Sequence, residues 1–298
     1  LPKKAMEGRL DEIRPCIACR HCLDKIFEKV KVTCAVNAMF GEETKYSIVP
    51  TQKRKKILVI GGGPAGLEAA RIAALRGHKV VIYEKEDRLG GQLKLASVPP
   101  YKQGITSLIK SLISQVNKLG VEVHLGLSVI PELVSAIKPD VVVIATGNVP
   151  IVPDIPGLQR ANVFLVVDVL AGRKEVGKRV VIIGGGQVGC ETADFLATIG
   201  KKVTIVEILN DVAIDMGLLA RKNLLGRLHE AGIEIYTKTT VQEITEVGVK
   251  CRADGKDFQL DAESIIIATG SKPNDELIKQ LTGKISELHI IGDCAQPR

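Results

Sequence analysis

Short continuous apolar runs punctuate the chain at residues 57–60, 80–82, 141–144, 180–183 and 265–267. Runs of this length bounded by glycine or charge read as strands buried on both faces, the pattern of a parallel sheet covered by helices. The run at 57–60 is followed by apolar residues at helical spacing (Leu67, Ala70, Ile72, Ala73, Ala74) that stop at Gly77. Leu218, Leu219, Leu224, Leu225 and Leu228 form a second helical stripe, read as core packing. Alternation replaces continuity near the end, at 241–244, 247–251 and 258–260, around Asp254-Gly255. That stretch predicts a small antiparallel meander.

Between the run at 57–60 and its helix lies Gly61-Gly-Gly63-Pro64-Ala65-Gly66, and the next strand ends in Glu84. Gly61 permits a tight turn, Gly63 lets the backbone approach a pyrophosphate, and Gly66 lets the helix lie close to the strand. The helix start offers unpaired N–H groups to phosphates. Glu84, 18 residues after Gly66, stands where a carboxylate accepts hydrogen bonds from ribose hydroxyls. The glycines alone would be a weak signal; strand, glycines, helix, strand and acid in order predict a dinucleotide cradle.

The pattern occurs twice. Gly184, Gly186 and Gly189 with Glu207 repeat Gly61, Gly63, Gly66 and Glu84 at an offset of 123 residues, and Ala268-Thr-Gly270 repeats Ala145-Thr146-Gly147 at the same offset. An internal duplication follows: α/β, two Rossmann-like three-layer nucleotide-binding domains in a disulfide-reductase-like arrangement, preceded by a short Cys-rich segment. Gly120-Val-Glu-Val matches Gly232-Ile-Glu-Ile at an offset of only 112, so copy one carries 11 extra residues, around 90–101, and copy two 11 extra in the meander.

Length and a 45% hydrophobic content suit two cores. No apolar run is long enough for a membrane span and no signal-peptide pattern opens the chain, so a soluble cytoplasmic protein is expected. The net charge of +7 is concentrated at Lys53-Arg-Lys-Lys56, but aromatics are only 3% and no nucleic-acid motif is present; a solvated flank is the better reading, and no nucleic-acid partner is expected.

Four of seven cysteines cluster as Cys16-x2-Cys19-x2-Cys22-x11-Cys34. Four thiolates suit zinc or an iron–sulfur cluster. Beside two dinucleotide folds, which move electrons, [4Fe–4S] is the favoured reading. His21 reads as a neighbour of the thiolates rather than a ligand. Residues 41–53 read as a linker.

Arg14-Pro-Cys-Ile-Ala-Cys, Cys22-Leu-Asp-Lys-Ile-Phe, Val32-Thr-Cys34-Ala-Val-Asn and the following glycine motif resemble, over essentially the whole chain, the C-terminal part of the 2,4-dienoyl-CoA reductase / enoate reductase / trimethylamine dehydrogenase family of NADH:flavin oxidoreductases. The family's first three cysteines are usually spaced x2 then x3; here both gaps are x2. The resemblance implies an N-terminal TIM barrel holding FMN and substrate, a [4Fe–4S] cluster, then an FAD domain with an NAD(P)H domain inserted in it. It leads us to expect a fragment, lacking the barrel before residue 1 and a closing helix after residue 298, and leaves a homo-oligomer open. The implied division is 1–52 for the cluster and linker, 53–150 plus 263–298 for FAD, and 151–262 for NAD(P)H.

Carried onto this chain, the resemblance places Gly61, Gly63, Pro64, Ala65, Gly66, Glu84, Lys85, Gly90, Gly91, Gln92, Thr146, Gly147, Gly292 and Asp293 at FAD. It places Gly184, Gly186, Gln187, Val188, Gly189, Glu207 and Gly270 at the nicotinamide nucleotide. Cys16, Cys19, Cys22 and Cys34 are the implied metal ligands. Glu207 would repel a 2′-phosphate and favours NADH, while Lys201-Lys202 leave NADPH open. Glu191 matches a position that contacts nicotinamide in related reductases, yet Glu68 occupies the same place in copy one, where an acid complements a helix dipole. The expected function is an electron relay: NADH to FAD, through the cluster to FMN in the missing barrel, which reduces an enoate- or enoyl-type substrate. The rivals are a disulfide reductase, which lacks its Cys pair here, a glutamate-synthase small-subunit-like reductase, which wants a denser cysteine set, and a non-catalytic scaffold holding ADP or NAD.

Overall fold

The computed structural model describes residues 2–297. Two five-stranded parallel sheets carry the chain. The first orders its strands Leu288–Ile290, Val141–Ile144, Lys56–Ile60, Lys79–Tyr83, Glu122–His124; the second orders Val163–Leu165, Ser264–Ile267, Arg179–Ile183, Lys202–Val206, Glu234–Tyr236. Each sheet has the helix after its glycine turn on one face, Pro64–Leu75 in the first and Gln187–Thr198 in the second. The central strands are fully buried because both faces are covered: Leu58, Val59, Ile182 and Ile265 are all within 1% of complete burial. Among the described residues no helix is long and apolar enough to cross a membrane.

The matched edge strands Glu122–His124 and Glu234–Tyr236 close corresponding ends of the two sheets. Strand Ser264–Ile267 pairs inside the second sheet, between Val163–Leu165 and Arg179–Ile183. The expected boundary at 262/263 therefore falls just before a strand of the second sheet, as the repeat of Val141–Ile144 requires. The meander is present as Thr239–Ile244, Gly248–Ala253 and Lys256–Asp261, with both turn residues, Asp254 and Gly255, at positive φ. In helix Leu218–Glu230, Leu224 and Leu228 are buried, whereas Leu218 is 68% exposed; the core stripe starts one turn later than its leucines suggest.

The two copies are joined by an antiparallel ribbon, Asn148–Pro150 against Ser271–Pro273. Its register pairs Val149 with Lys272, residues one offset apart, so the ribbon has a local two-fold axis relating the copies. Ile151 N–H donates to Gly270 O and Asn274 N–H to Gly147 O, both at 3.0 Å. The Thr146 hydroxyl donates to Asn274 O and the Thr269 hydroxyl to Ile151 O, both at 2.9 Å. These four bonds form two repeat-related pairs, the geometry of an isologous contact within one chain.

The strand-to-helix crossings are packed to contact. A Cβ on Gly66 would lie 1.9 Å from Gly61 O, whereas one on Gly226, inside helix Leu218–Glu230, would meet nothing within 4 Å. Gly66→Ala should therefore lower stability by about 2–3 kcal/mol through forced displacement of the helix, while Gly226→Ala raises it by about 0.5–1 kcal/mol. Urea unfolding of the two variants beside the parent chain measures both, and equal effects would refute the packing argument.

Candidate functional site

The first glycine turn gathers residues from four parts of the chain. Gly61 takes φ +110°, and a Cβ there would strike Ala145 O at 2.3 Å, so both conformation and packing demand glycine. Gly62 N–H donates to Glu84 Oε2 at 2.6 Å, and Glu86 N–H donates to Glu84 Oε1 at 2.9 Å. Gly90 N–H donates to Gly62 O at 2.9 Å, which lays Gly91 against Gly63. Gly292 packs on Ala65, where an added Cβ would lie 2.8 Å from the alanine methyl. Gln92 Nε2 donates to Asn148 Oδ1 at 2.6 Å, and Asn148 Nδ2 donates to Asp293 Oδ2 at 2.9 Å. Lys85 is exposed. Thr146, Gly147 and Gly270 lie in the ribbon, the Thr146 hydroxyl engaged there by Asn274 O.

The second turn repeats this in detail. Gly184 takes φ +108° against Ala268 O, Gly189 abuts Gly184 O, and Gly185 N–H donates to Glu207 Oε2 at 2.5 Å. Leu209 N–H donates to Glu207 Oε1, and Ala213 N–H to Gly185 O at 2.7 Å. Ala213 thus repeats Gly90 at the same 123-residue offset, and the two glutamates sit equally deep, at 6% and 7% exposure. Here, however, Gln187 N–H at the helix start donates to the Asp215 carboxylate, at 2.9 and 3.1 Å to its two oxygens. Val188 is exposed beside it. Lys201 and Lys202 open the strand that Glu207 follows, about 16 Å away at strand rise, and Lys201 Nζ donates to Val176 O.

The glycines at 63 and 186 have no internal explanation. Their φ values, −75° and −67°, suit any residue. A Cβ would meet only Gly91 Cα at 3.8 Å in one case and the Asp215 carboxylate, at 3.4 Å or more, in the other. Space is left open at both helix starts where a ligand's phosphate would approach, which is the fit a dinucleotide requires.

An acid at the fifth position of each helix clasps a cation from the preceding module. Arg14, beside the cysteines, pairs with Glu68 at 2.6 Å, and Lys102, from the first unit, pairs with Glu191 at 2.6 Å. Gln187 Nε2 also donates to Glu191 Oε1 at 3.0 Å. Burial alone would raise the Glu68 carboxyl, but hydrogen bonds from Arg71 and Arg14 outweigh it and hold the group below its ordinary 4.5. The additional residues of copy one form the contact between units: Leu95 and Val98 pack on the second unit's core, and the Arg227 guanidinium lies 4.8 Å from the Tyr101 ring while bonding Asp194.

Cys16, Cys19 and Cys22 are exposed, Cys34 is half-buried, and none is in a disulfide. Ala18 and Arg20 take φ of +53° and +62°, and Ala18 N–H donates to Cys16 Sγ at 3.4 Å. Left-handed residues that turn N–H groups toward one side suit an anionic sulfur cluster. Among the described residues no three His, Cys, Asp or Glu side chains are grouped so as to hold one metal ion. Four cysteines are a donor set that zinc and an iron–sulfur cluster both accept. His21 Nε2 bonds Thr33 Oγ1 at 2.7 Å, so it links the two cysteine-bearing stretches. Burial pushes the Cys190 thiol up to about 12, the pKa of an inert core residue rather than a redox thiol.

Sequence reasoning missed Arg14, Lys102, Asn148 and Asp215. Of these only Asp215 carried a signal, since it stands one offset from Gln92.

Comparison with known proteins agrees with this geometry. The family described as pyridine nucleotide-disulphide oxidoreductase matches residues 55–293. An NADH oxidase of Thermoanaerobacter brockii is 43% identical over 98% of the chain and 46% of its own length. A metal reductase of Desulforamulus reducens is 41% identical over all of the chain and 50% of its own length. A structure of 2-naphthoyl-CoA reductase with 2-naphthoyl-CoA superposes with TM-score 0.97 at 36% identity, covering all of this chain and 46% of that one. The chain spans about half the length of these relatives, their C-terminal half.

Two measurements probe the clamps. Lys102→Met and Glu191→Gln, singly and together, should give a coupling of about 1–2 kcal/mol in urea unfolding; strict additivity would show that the pair does not act. The Glu68 carboxyl is depressed in the folded state, so its stabilisation is complete above 4.5 and is lost as pH falls through the lower folded value. Glu68→Gln should accordingly flatten the acid limb of the stability–pH curve below pH 4.5, and an unchanged limb would overturn the assignment.

Proposed function

The chain belongs to the pyridine nucleotide-disulphide oxidoreductase family, and from that premise we propose that it is the electron-entry part of a larger flavin reductase. NADH is assigned to the 184–207 cradle, FAD to the 61–92 cradle with Asp293, and a [4Fe–4S] cluster to Cys16, Cys19, Cys22 and Cys34. The acceptor is FMN in an N-terminal TIM barrel that reduces an enoate- or enoyl-type substrate. Bound there, FAD would supply hydride acceptance and one-electron release, and a cluster on the four cysteines would supply one-electron transfer.

The observation that carries this reading is the pair of helix starts at Gly63 and Gly186, where neither backbone conformation nor packing asks for glycine. Around them the protein's own groups bind and orient. Glu84 and Glu207 each accept two backbone N–H bonds. A carboxylate has about four acceptor sites, so both retain capacity for ribose hydroxyls. The line Gln92–Asn148–Asp293 would offer amide and carboxylate groups to the polar part of a flavin nucleotide. Lys102–Glu191 holds the second helix start against the first unit. Leu95 and Val98 pack from the first unit on the second unit's core. Arg14–Glu68 seats the cysteine segment on the helix that begins at Pro64. The remoteness of Lys201 and Lys202 from Glu207 leaves no cation of that pair for a 2′-phosphate, which favours NADH.

Anaerobic reconstitution of the chain with FAD, iron and sulfide tests the proposal. Flavin absorption bands, about four iron atoms per chain and bleaching of the flavin by NADH are expected. Gly186→Val should abolish bleaching while the flavin stays bound. Zinc without flavin, or flavin that NADH does not bleach, would refute it.

A further inference from the structure

Resting on the reading of residues 184–207 as a nicotinamide-dinucleotide cradle, we propose that Asp215 is a displaceable occupant of that cradle. Its carboxylate holds the amide that a pyrophosphate needs, and the dinucleotide binds by exchanging for it.

Three observations meet at this residue. Gln187 N–H, an unpaired donor of helix Gln187–Thr198, is shared between both carboxylate oxygens at 2.9 and 3.1 Å. The three atoms nearest the missing Cβ of Gly186 are all Asp215 carboxylate atoms, at 3.4 to 3.9 Å. The carboxylate therefore faces the space that the glycine leaves open. A planar anion on the N–H groups of a helix start is the interaction a phosphate makes there.

The duplication supplies an internal control. The residue one offset before Asp215 is Gln92, whose neutral amide turns instead to Asn148. The helix start one offset before Gln187 is Pro64, which has no N–H to offer. The carboxylate therefore bonds an N–H that the first helix start lacks, while the two loops share one backbone bond: Gly90 N–H to Gly62 O, Ala213 N–H to Gly185 O. The backbone under Asp215 is held by that second bond at 2.7 Å. Turning the side chain outward is enough to free the amide, and the cradle keeps its shape. In the cradle with FAD assigned to it nothing comparable must move, which suits a cofactor that stays; the second cradle exchanges its guest each turnover.

The exchange makes affinity depend on phosphate. Dissociation constants for ADP-ribose, NAD+ and adenosine are to be measured by calorimetry on the FAD-loaded chain, as wild type, Asp215→Asn and Asp215→Ala. Removing a charge-assisted competitor should tighten ADP-ribose and NAD+ about tenfold in Asp215→Ala, equivalent to about 1.4 kcal/mol. Asp215→Asn keeps the shape and one acceptor but loses the charge, and should tighten both by a smaller factor; it carries the test should Asp215→Ala misfold. Adenosine, with no phosphate, should be unaffected. Equal affinities in wild type and variants, or an equal gain for adenosine, overturn the proposal while wild-type binding leaves the cradle reading standing. Absence of dinucleotide binding in every form removes the cradle reading and the proposal with it.

Discussion

The ribbon between Asn148–Pro150 and Ser271–Pro273 is the constraint from which the rest of the arrangement follows. In each sheet the strand beside the central one, Val141–Ile144 or Ser264–Ile267, ends in the same Ala-Thr-Gly triplet, and each triplet feeds one side of the ribbon. Because the pairing is centred on Val149 and Lys272, every hydrogen bond that fixes one copy has a counterpart that fixes the other. The two threonine hydroxyls lock the ends by capping carbonyls across the junction. A junction of this kind cannot slip by one residue without breaking all of its bonds together and reversing which side chains face inward. It fixes the two glycine turns relative to each other before any side chain between the units is considered.

The contacts between units then depart from symmetry. The additional residues of copy one, Leu95 and Val98 among them, lie on the second unit's core, and nothing in the second copy answers them. The helix acids have been put to one use twice: Glu68 receives Arg14 from the cysteine segment, and Glu191 receives Lys102 from the first unit. Each acid stands at the fifth position of its helix, on the face that meets the module before it. The chain is thereby tied in series, cysteine segment to first unit and first unit to second, in the order the proposed electron path runs in reverse.

What could be read from the sequence was what local physics dictates. Gly61, Gly66, Gly184 and Gly189 are required by contacts under 2.5 Å with their own turn or the adjoining strand end, so they recur wherever the turn recurs, and the 123-residue offset exposes them. The meander was legible because Asp254-Gly255 is a turn signal with one structural solution. The clamps were not legible. Arg14 and Glu68 are 54 residues apart, and no periodicity marks which lysine or arginine a buried acid will meet. The additional residues of copy one showed themselves as a difference in length, but their destination lies in the other unit's surface. The boundary before Ser264 was misplaced for a related reason: chain order suggests a return to the first unit, whereas strand pairing keeps Ser264–Ile267 in the second sheet.

Repeats that keep their backbone can still part company in chemistry, and positions one offset apart show where they did. Pro64 and Gln187 begin equivalent helices, yet only the second presents an N–H at that position. Gln92 and Asp215 stand on equivalent loops, yet one extends a polar line to Asn148 and Asp293 while the other carries a charge to the helix start. A resident group gains from a neutral, preorganised lining that opposes its departure. A guest that must leave would gain from a competitor already in place, because the competitor keeps the helix-start amide bonded as the guest departs. The two cradles differ at these positions in the direction that the proposed residence in one and turnover in the other would demand.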